Sequence, residues 1–295
     1  MLALPLAVWL LLYAYKPLVG LIIAFEKFSP FKGIWNSPFS GLDNFRRLMA
    51  GPSAYLFWRA LKNTLLISLY GLVFGFPIPI FLAILFNEVR EGLYRKTIQT
   101  VSYLPHLISE VTIAGIVLTM LQVNGLVNLV LAALLRLFDS DFRPIAFMSE
   151  PNFFKGIFTF TGIWKSAGFD SIVYFAALMG VSPTLYEAAK IDGASRIQRI
   201  LHVSISGILP TIVIMLIVRV GNILNVGYER VLLLYNPLTY EAADVLGTFT
   251  FRLGSSPPID YGLSTASSLF NSLVGFALVI ATNRISRKLS ETSLW

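Results

Sequence analysis

Runs of apolar residues divide the chain. Six stretches, 2–25, 61–86, 103–122, 155–180, 205–228 and 264–286, are each long enough to cross a bilayer as a helix. A span needs about 20 mostly apolar residues to cover the roughly 30 Å hydrocarbon layer. Polar and basic segments separate the six. A seventh apolar run, Gly125 to Phe138, is shorter and contains Arg136. It reads as a short helix lying at the membrane surface, with a seventh span as the alternative. The first stretch lacks a basic start and a small-residue cleavage site, and it runs on through Lys16 and Pro17 to Phe25. It is therefore expected to be a retained helix and not a signal peptide. The pattern predicts an all-α membrane protein with six transmembrane helices forming one domain over residues 1–295.

Composition sharpens that expectation. Hydrophobic residues make up 56% of the chain and charged residues 13%, about half the charged share of an average soluble domain. A soluble fold of this size has no way to hide so much apolar surface, whereas lipid removes the need for a polar exterior. The chain has no cysteine, which excludes disulfides, thiolate nucleophiles and cysteine-based zinc sites. The net charge of +7 is scattered between the apolar runs, not gathered into the stripe that nucleic-acid binding needs.

Loop charges give an orientation, because cytoplasmic loops are enriched in Lys and Arg. With both termini inside, segments 87–100, 182–204 and 284–295 are cytoplasmic and carry nine Lys and Arg residues. The outer segments 26–60, 123–155 and 229–262 carry ten over about twice the length.

The inner segment 182–204 is the most informative. Ser182 is a good N-cap, and Pro183 suits a first helical turn. Leu185, Tyr186, Ala188 and Ala189 favour a short helix, which Asp192-Gly193 ends because glycine accepts a left-handed backbone. A second helix is expected from Ala194 to Leu201, with Asp192 as its cap. The result is a helix–turn–helix along the membrane surface. Its small alanines allow another protein to approach closely, and Glu187 offers a carboxylate to a basic group.

Glu187-Ala188-Ala189-x-x-Asp192-Gly193-Ala194 resembles the EAA signature of binding-protein-dependent ABC importer permeases. One departure is that Ile205-Ser206 stands where the family usually has Leu-Pro, with Pro210 following; the local bend is left open. Other segments are similar to carbohydrate permeases, including those of the lipoprotein-linked and alginate-importer types. These are Gly41-Leu42-Asp43-Asn44-Phe45, Phe28-Ser29-Pro30-Phe31-Lys32-Gly33, Ser102-Tyr103-Leu104-Pro105-His106 and Gly221-Asn222-Ile223-Leu224-Asn225-Val226-Gly227. The resemblance implies a multi-pass permease of a bacterial cytoplasmic membrane with the type I importer fold. It implies a second homologous permease, two ATPase subunits that bind ATP and Mg, and an external solute-binding protein delivering a carbohydrate. It makes 182–204 the coupling loop, with Glu187, Ala188, Ala189, Asp192, Gly193 and Ala194 facing the ATPase. Closure of the ATPase pair would move that loop and switch the cavity from inward- to outward-facing.

Polar residues inside the apolar stretches are candidates for the substrate path, because charge in a membrane usually faces a cavity or a partner. Glu110 lies in the third stretch, Lys165 and Asp170 in the fourth, and Arg219 in the fifth. In related permeases the helices flanking the EAA loop line the cavity. Asn222 and Asn225, three apart, fall on one face of a helix. Their amides suit sugar hydroxyls, or else bridge helices. Trp164 and Phe169 offer flat apolar faces for sugar rings. Lys165 or Arg219 suits an acidic sugar, the alternatives being a pair with Asp170 or snorkelling to an interface. Gly71-x-x-x-Gly75 marks close helix packing or a chance match.

Catalysis finds no support. There is no Walker A pattern and no HExxH around His106 or His202, the two histidines. No serine lies in a Gly-x-Ser-x-Gly setting. The chain is expected to be a non-enzyme without bound cofactor or metal. The rival reading is a secondary transporter driven by an ion gradient, which usually shows an internal repeat; none is clear.

Overall fold

The computed structural model describes residues 4–136 and 142–289. Positions 2 and 3 of the first stretch, 137 and 138 of the seventh run, and 290–295 of the last inner segment lie outside these. Thirteen helices follow one another among the described residues. They are α1 (Leu4–Phe25), α2 (Asp43–Ala50), α3 (Ala54–Glu88), α4 (Leu93–Leu107), α5 (Glu110–Met120), α6 (Leu126–Arg136) and α7 (Pro151–Met179). Then come α8 (Pro183–Ile191), α9 (Arg196–Gly221), α10 (Tyr228–Leu234), α11 (Tyr240–Ala243), α12 (Leu246–Ser255) and α13 (Tyr261–Leu289). No strand occurs among these residues; one isolated bridge pairs Glu26 with Phe39.

Four helices are long and apolar enough to cross a membrane: α1, α3, α9 and residues Tyr261–Ile285 of α13. Two bent pairs qualify when taken together, α4 with α5 at 97° and α7 with α8 at 71°, which gives up to six crossings. The third stretch is therefore not the straight span expected over 103–122. Ile108 and Ser109 are extended, and the Ser109 hydroxyl accepts the Thr112 N–H at 3.2 Å. That cap satisfies a first-turn donor of α5, and Glu110 in the same turn suits the positive end of the helix dipole. The fifth stretch also ends early. α9 stops at Gly221 and residues 222–227 form a turn, so Asn222 and Asn225 do not share a helix face. Glycine and asparagine at a helix end are the residue types that stop it.

The chain forms two compact units. The first holds residues up to Thr64 and Asp244–Phe276. Its core is Leu48, Phe57, Ala60, Leu246, Phe249 and Leu263. Buried polar groups there are matched, as a low-dielectric interior requires. The Asn44 amide donates to the carbonyls of Ala24 and Glu26 at 3.0 and 2.9 Å. The buried Asp244 carboxylate receives both terminal nitrogens of Arg252 at 2.7 and 3.1 Å.

The second unit holds Leu65–Ala243 and the chain from Ala277. α3 and α9 pack against α7 around Ala83, Ile84, Tyr174, Leu178 and Ile208. α4 crosses α7 at Gly168, where a Cβ would overlap the Ser102 carbonyl. Many large apolar side chains are exposed on the surface, and α1 buries only Ala24. A soluble protein rarely exposes such a surface, whereas lipid-facing helices do so as a rule.

Candidate functional site

The segment 182–204 folds as a helix, a tight turn and a second helix. α8 ends in a Schellman motif: Ala194 N–H reaches the Ala189 carbonyl at 2.9 Å and Gly193 N–H the Lys190 carbonyl at 3.2 Å. Gly193 sits at φ 78°, the left-handed region where a side chain is disfavoured. The expected second helix starts later than Ala194, and its cap is not Asp192. Asp192 closes α8, and Ser195 opens α9 in a capping box with Gln198. Ser195 N–H donates to the Gln198 side chain at 2.8 Å and Gln198 N–H to the Ser195 hydroxyl, so two orphan donors are satisfied at once. Ser182 does stand at the N-cap position, but its hydroxyl pairs with Thr184 and caps no backbone N–H.

Glu187, Ala188, Asp192 and Gly193 are exposed, and Ala189 and Ala194 half-buried. Leu185, Ile191 and Ile197 add exposed apolar surface to the same loop. Two side-chain contacts tie the loop back to the helices. Tyr186 and the buried Ser204 share a hydrogen bond of 3.0 Å, and Arg196 pairs with Glu88 at 2.6 Å.

Further along α9 lies a cavity of about 370 Å³. A π-helical turn of α3, Gly71–Gly75, forms one wall, and one face of α7 another. Thr159, Gly162, Ile163, Ser166 and Asp170 recur at the three- and four-residue spacing of that face. The end of α9 and the following turn supply Arg219, Asn222 and Asn225, and α10 supplies Arg230. A second lobe of about 200 Å³ shares Gly75, Asp170, Arg219 and Asn222 with the first. The two asparagines stay in contact despite the helix end, at 3.4 Å between side chains.

Gly71 and Gly75 do not bring two helix backbones together here. A Cβ on either would come 3.5 or 3.6 Å from the Arg219 guanidinium, an ordinary contact distance, so this turn lies directly against Arg219. Gly162 makes room for Arg230, whose Nη1 would stand 2.6 Å from a Cβ there.

Glu110 joins two cations. Lys165 Nζ donates to Oε1 at 2.8 Å, and Arg230 donates from Nε to Oε2 at 2.9 Å and from Nη2 to Oε1 at 2.8 Å. The Arg230 guanidinium also lies over the Phe158 ring, 5.4 Å from its centre, a cation–π contact. Lys165 is thus neutralised by Glu110 and not by Asp170, and it does not line the cavity. Trp164 and Phe169 do not line it either. Trp164, two residues from both Gly162 and Ser166, is on the opposite side of α7. Phe169 stacks on His106 at 4.0 Å with the rings 3° from parallel. Of the six residues expected in the substrate path, the structure gathers Arg219, Asn222 and Asn225. It adds Arg230, Asp170 and Ser166. The sequence places Arg230 in an outer segment, outside the apolar stretches searched for cavity residues, so nothing there marks it.

No group of three His, Asp or Glu side chains among the described residues is placed to hold a metal. The geometry is that of an apolar body with a charged cavity, plus an exposed helix–turn–helix loop.

Comparison with known proteins agrees over the full chain. The family described as "Binding-protein-dependent transport system inner membrane component" matches residues 75–291. Protein LplB of Bacillus subtilis (strain 168) is 36% identical over all of this chain and 90% of its own length. The polygalacturonan/rhamnogalacturonan transport system permease protein YteP of the same organism is 37% identical over 99% of this chain and 88% of its own length. A crystal structure of a bacterial ABC transporter involved in the import of the acidic polysaccharide alginate contains a chain with 42% identity and a TM-score of 0.87. That match covers 98% of this chain and 94% of the other. The fold is all-α with four to six spans, and the sequence belongs with the membrane subunits of ABC transporters, not with ion-driven carriers. The chain belongs to the family of binding-protein-dependent transport system inner membrane components, the permease subunits of ABC transporters.

Proposed function

We propose that this chain is the permease subunit of an ATP-driven importer that moves oligosaccharides released from a polysaccharide into the cytoplasm. The observation that carries this is the placement of two features on one helix. α9 begins in the exposed loop after Gly193 and ends at Arg219 and Asn222 in the cavity. α9 runs continuously between them, through a π-helical turn at Ile200–Ile205 and past Pro210, so a displacement of the loop is carried to the cavity, and Tyr186 and Ser204 fasten the loop to its base. Two relatives carry pectic or alginate substrates in their names, which favours a polysaccharide fragment over a simple sugar.

In this reading the membrane is the bacterial cytoplasmic membrane, and both termini and residues 182–204 face the cytoplasm. A second homologous permease completes the path. Two ATPase subunits hold ATP and Mg, and one receives the Glu187–Ala194 loop. A solute-binding protein docks from outside, as one does in the crystal structure of a related alginate transporter with an alginate pentasaccharide-bound periplasmic protein. ATPase closure pulls the loop, and α9 reshapes the cavity so that its amides and cations exchange the outer opening for the inner one.

The test is ATP-dependent oligosaccharide uptake into liposomes holding the assembled complex, for the natural chain and for Tyr186→Phe. The natural complex is expected to concentrate the oligosaccharide. Tyr186→Phe is expected to assemble and hydrolyse ATP but take up less sugar per ATP. A chain that purifies with no ATPase, or that accumulates sugar on an ion gradient without ATP, overturns the proposal.

A further inference from the structure

The charges around the cavity do not balance. Glu110 accepts both Lys165 and Arg230, so that cluster retains one positive charge. Its surplus is aimed inward. Arg230 commits Nε and Nη2 to Glu110, while Nη1 beside Gly162 has no hydrogen-bond partner among the described residues. Arg219 and Asp170 both border the two lobes, yet neither forms an ion pair within 4.0 Å among the described residues. Three cations thus face two carboxylates. An unpaired guanidinium at membrane depth is unfavourable unless something anionic or polar meets it.

The rest of the lining narrows the choice of ligand. Few aromatic faces are open to grip a neutral sugar ring: Trp164 and Phe169 are outside the cavity, Phe158 is covered by Arg230, and in the second lobe Phe76 packs edge-on against Tyr174, which is almost fully buried. What remains is amide groups on Asn222 and Asn225, the hydroxyls of Ser68, Thr159 and Ser166, and the Arg219 fork. Amides and hydroxyls match sugar hydroxyls. A planar guanidinium matches a carboxylate in two parallel hydrogen bonds. The Arg219 guanidinium lies against the turn at Gly71 and Gly75, on the wall of the cavity where such a group would enter.

We infer that the cavity binds a carboxylate of an acidic oligosaccharide, a uronate residue, and that Arg219 is the residue that selects it over a neutral sugar. Asp170, on the border of both lobes, opposes the same carboxylate and weakens its hold. This rests on the carbohydrate-importer reading above.

The experiment uses the assembled complex without its solute-binding protein, so that the permease's own preference is read. Two probes of equal length are compared: trigalacturonate and its carboxyl-reduced counterpart, whose carboxylates have become alcohols. The natural complex is expected to bind the acidic probe about tenfold more tightly or better, the worth of one charge-assisted pair. Arg219→Gln is expected to bring that ratio close to one, Arg219→Lys to keep part of it, and Asp170→Asn to raise it. Opposite shifts on removing opposite charges are a signature that a packing role does not produce. If Arg219→Gln weakens both probes equally, or the natural complex does not distinguish them, the carboxylate assignment is overturned while carbohydrate import stands. If the complex binds neither probe and, with its solute-binding protein restored, takes up neither in liposomes, the carbohydrate reading itself has failed, and this inference with it.

Discussion

Replacing Glu110 with glutamine probes what holds α5, α7 and α10 together. Glutamine keeps the shape of the side chain and one carbonyl oxygen. It loses the charge, and its NH₂ group presents donors where two donors already point. Of the three bonds at 2.8, 2.9 and 2.8 Å, at least one is lost outright and the others lose their charge assistance. A hydrogen bond to a charged group contributes about 1.5–3 kcal/mol, and leaving a buried charge without its partner costs about 3–5 kcal/mol. The side chains of Lys165, Arg230 and Glu110 are 12%, 16% and 26% exposed, so water takes over part of the lost solvation. The expected loss is about 2–3 kcal/mol, toward the low end of that penalty.

The assay is unfolding of the detergent-solubilised complex for Glu110→Gln, Lys165→Met and the double variant. In Glu110→Gln two cations face each other with nothing between them. Removing Lys165 relieves that repulsion, so the double variant should be more stable than the sum of the single losses by about 1–2 kcal/mol. Strict additivity, or a Glu110→Gln variant within about 0.5 kcal/mol of the natural complex, would refute the ion cluster as a structural joint.

Three further outcomes are expected. Gly193→Ala, strained at φ 78°, should lose about 1 kcal/mol in the turn and lower uptake per assembled complex, whereas Gly193→Asn, which tolerates the left-handed backbone, should keep most of it. Gly168→Ala should prevent stable assembly, because its Cβ meets the Ser102 carbonyl and not a movable side chain; a variant that purifies with unchanged stability contradicts the packing of α4 on α7. In this cysteine-free chain, Ser195→Cys should resist an impermeant thiol reagent in intact cells and Phe31→Cys, at a fully exposed position, should react.

Hydropathy made the long helices legible because lipid imposes the same demand on every residue of a span. It missed the break at Ser109, since the polar residues scattered through 103–122 leave the window apolar on average while a single cap is enough to end one helix and start another. The turn at Gly193 was readable because Asp-Gly acts locally. Placing the second cap at Asp192 failed because Ser195 and Gln198 satisfy two donors where Asp192 would satisfy one. The reach of α9 to residue 228 was overestimated for a similar reason: Gly221 and Asn222 favour a helix end more strongly than the apolar residues around them favour continuation.

The site was harder to read because its partners are distant in sequence. Charged positions inside spans stood out one by one, but not their pairing. Asp170 is five residues from Lys165, about 140° around the helix, so the two face different neighbours. The true partner of Lys165 is 55 residues away and that of Arg230 is 120. Only the packing of α5 against α7 and α10 brings Glu110 to both. Arg219 shows the same lesson from the other side. Its charge was visible in the sequence, but its lack of an ion pair is a property of the fold that no spacing rule supplies. The glycine pair Gly71 and Gly75 was legible as a motif, but the group that lies against it is a guanidinium and not a helix backbone. The position of a charge in a membrane protein can thus be read from sequence, while its availability to a ligand depends on which side chains the fold has already spent.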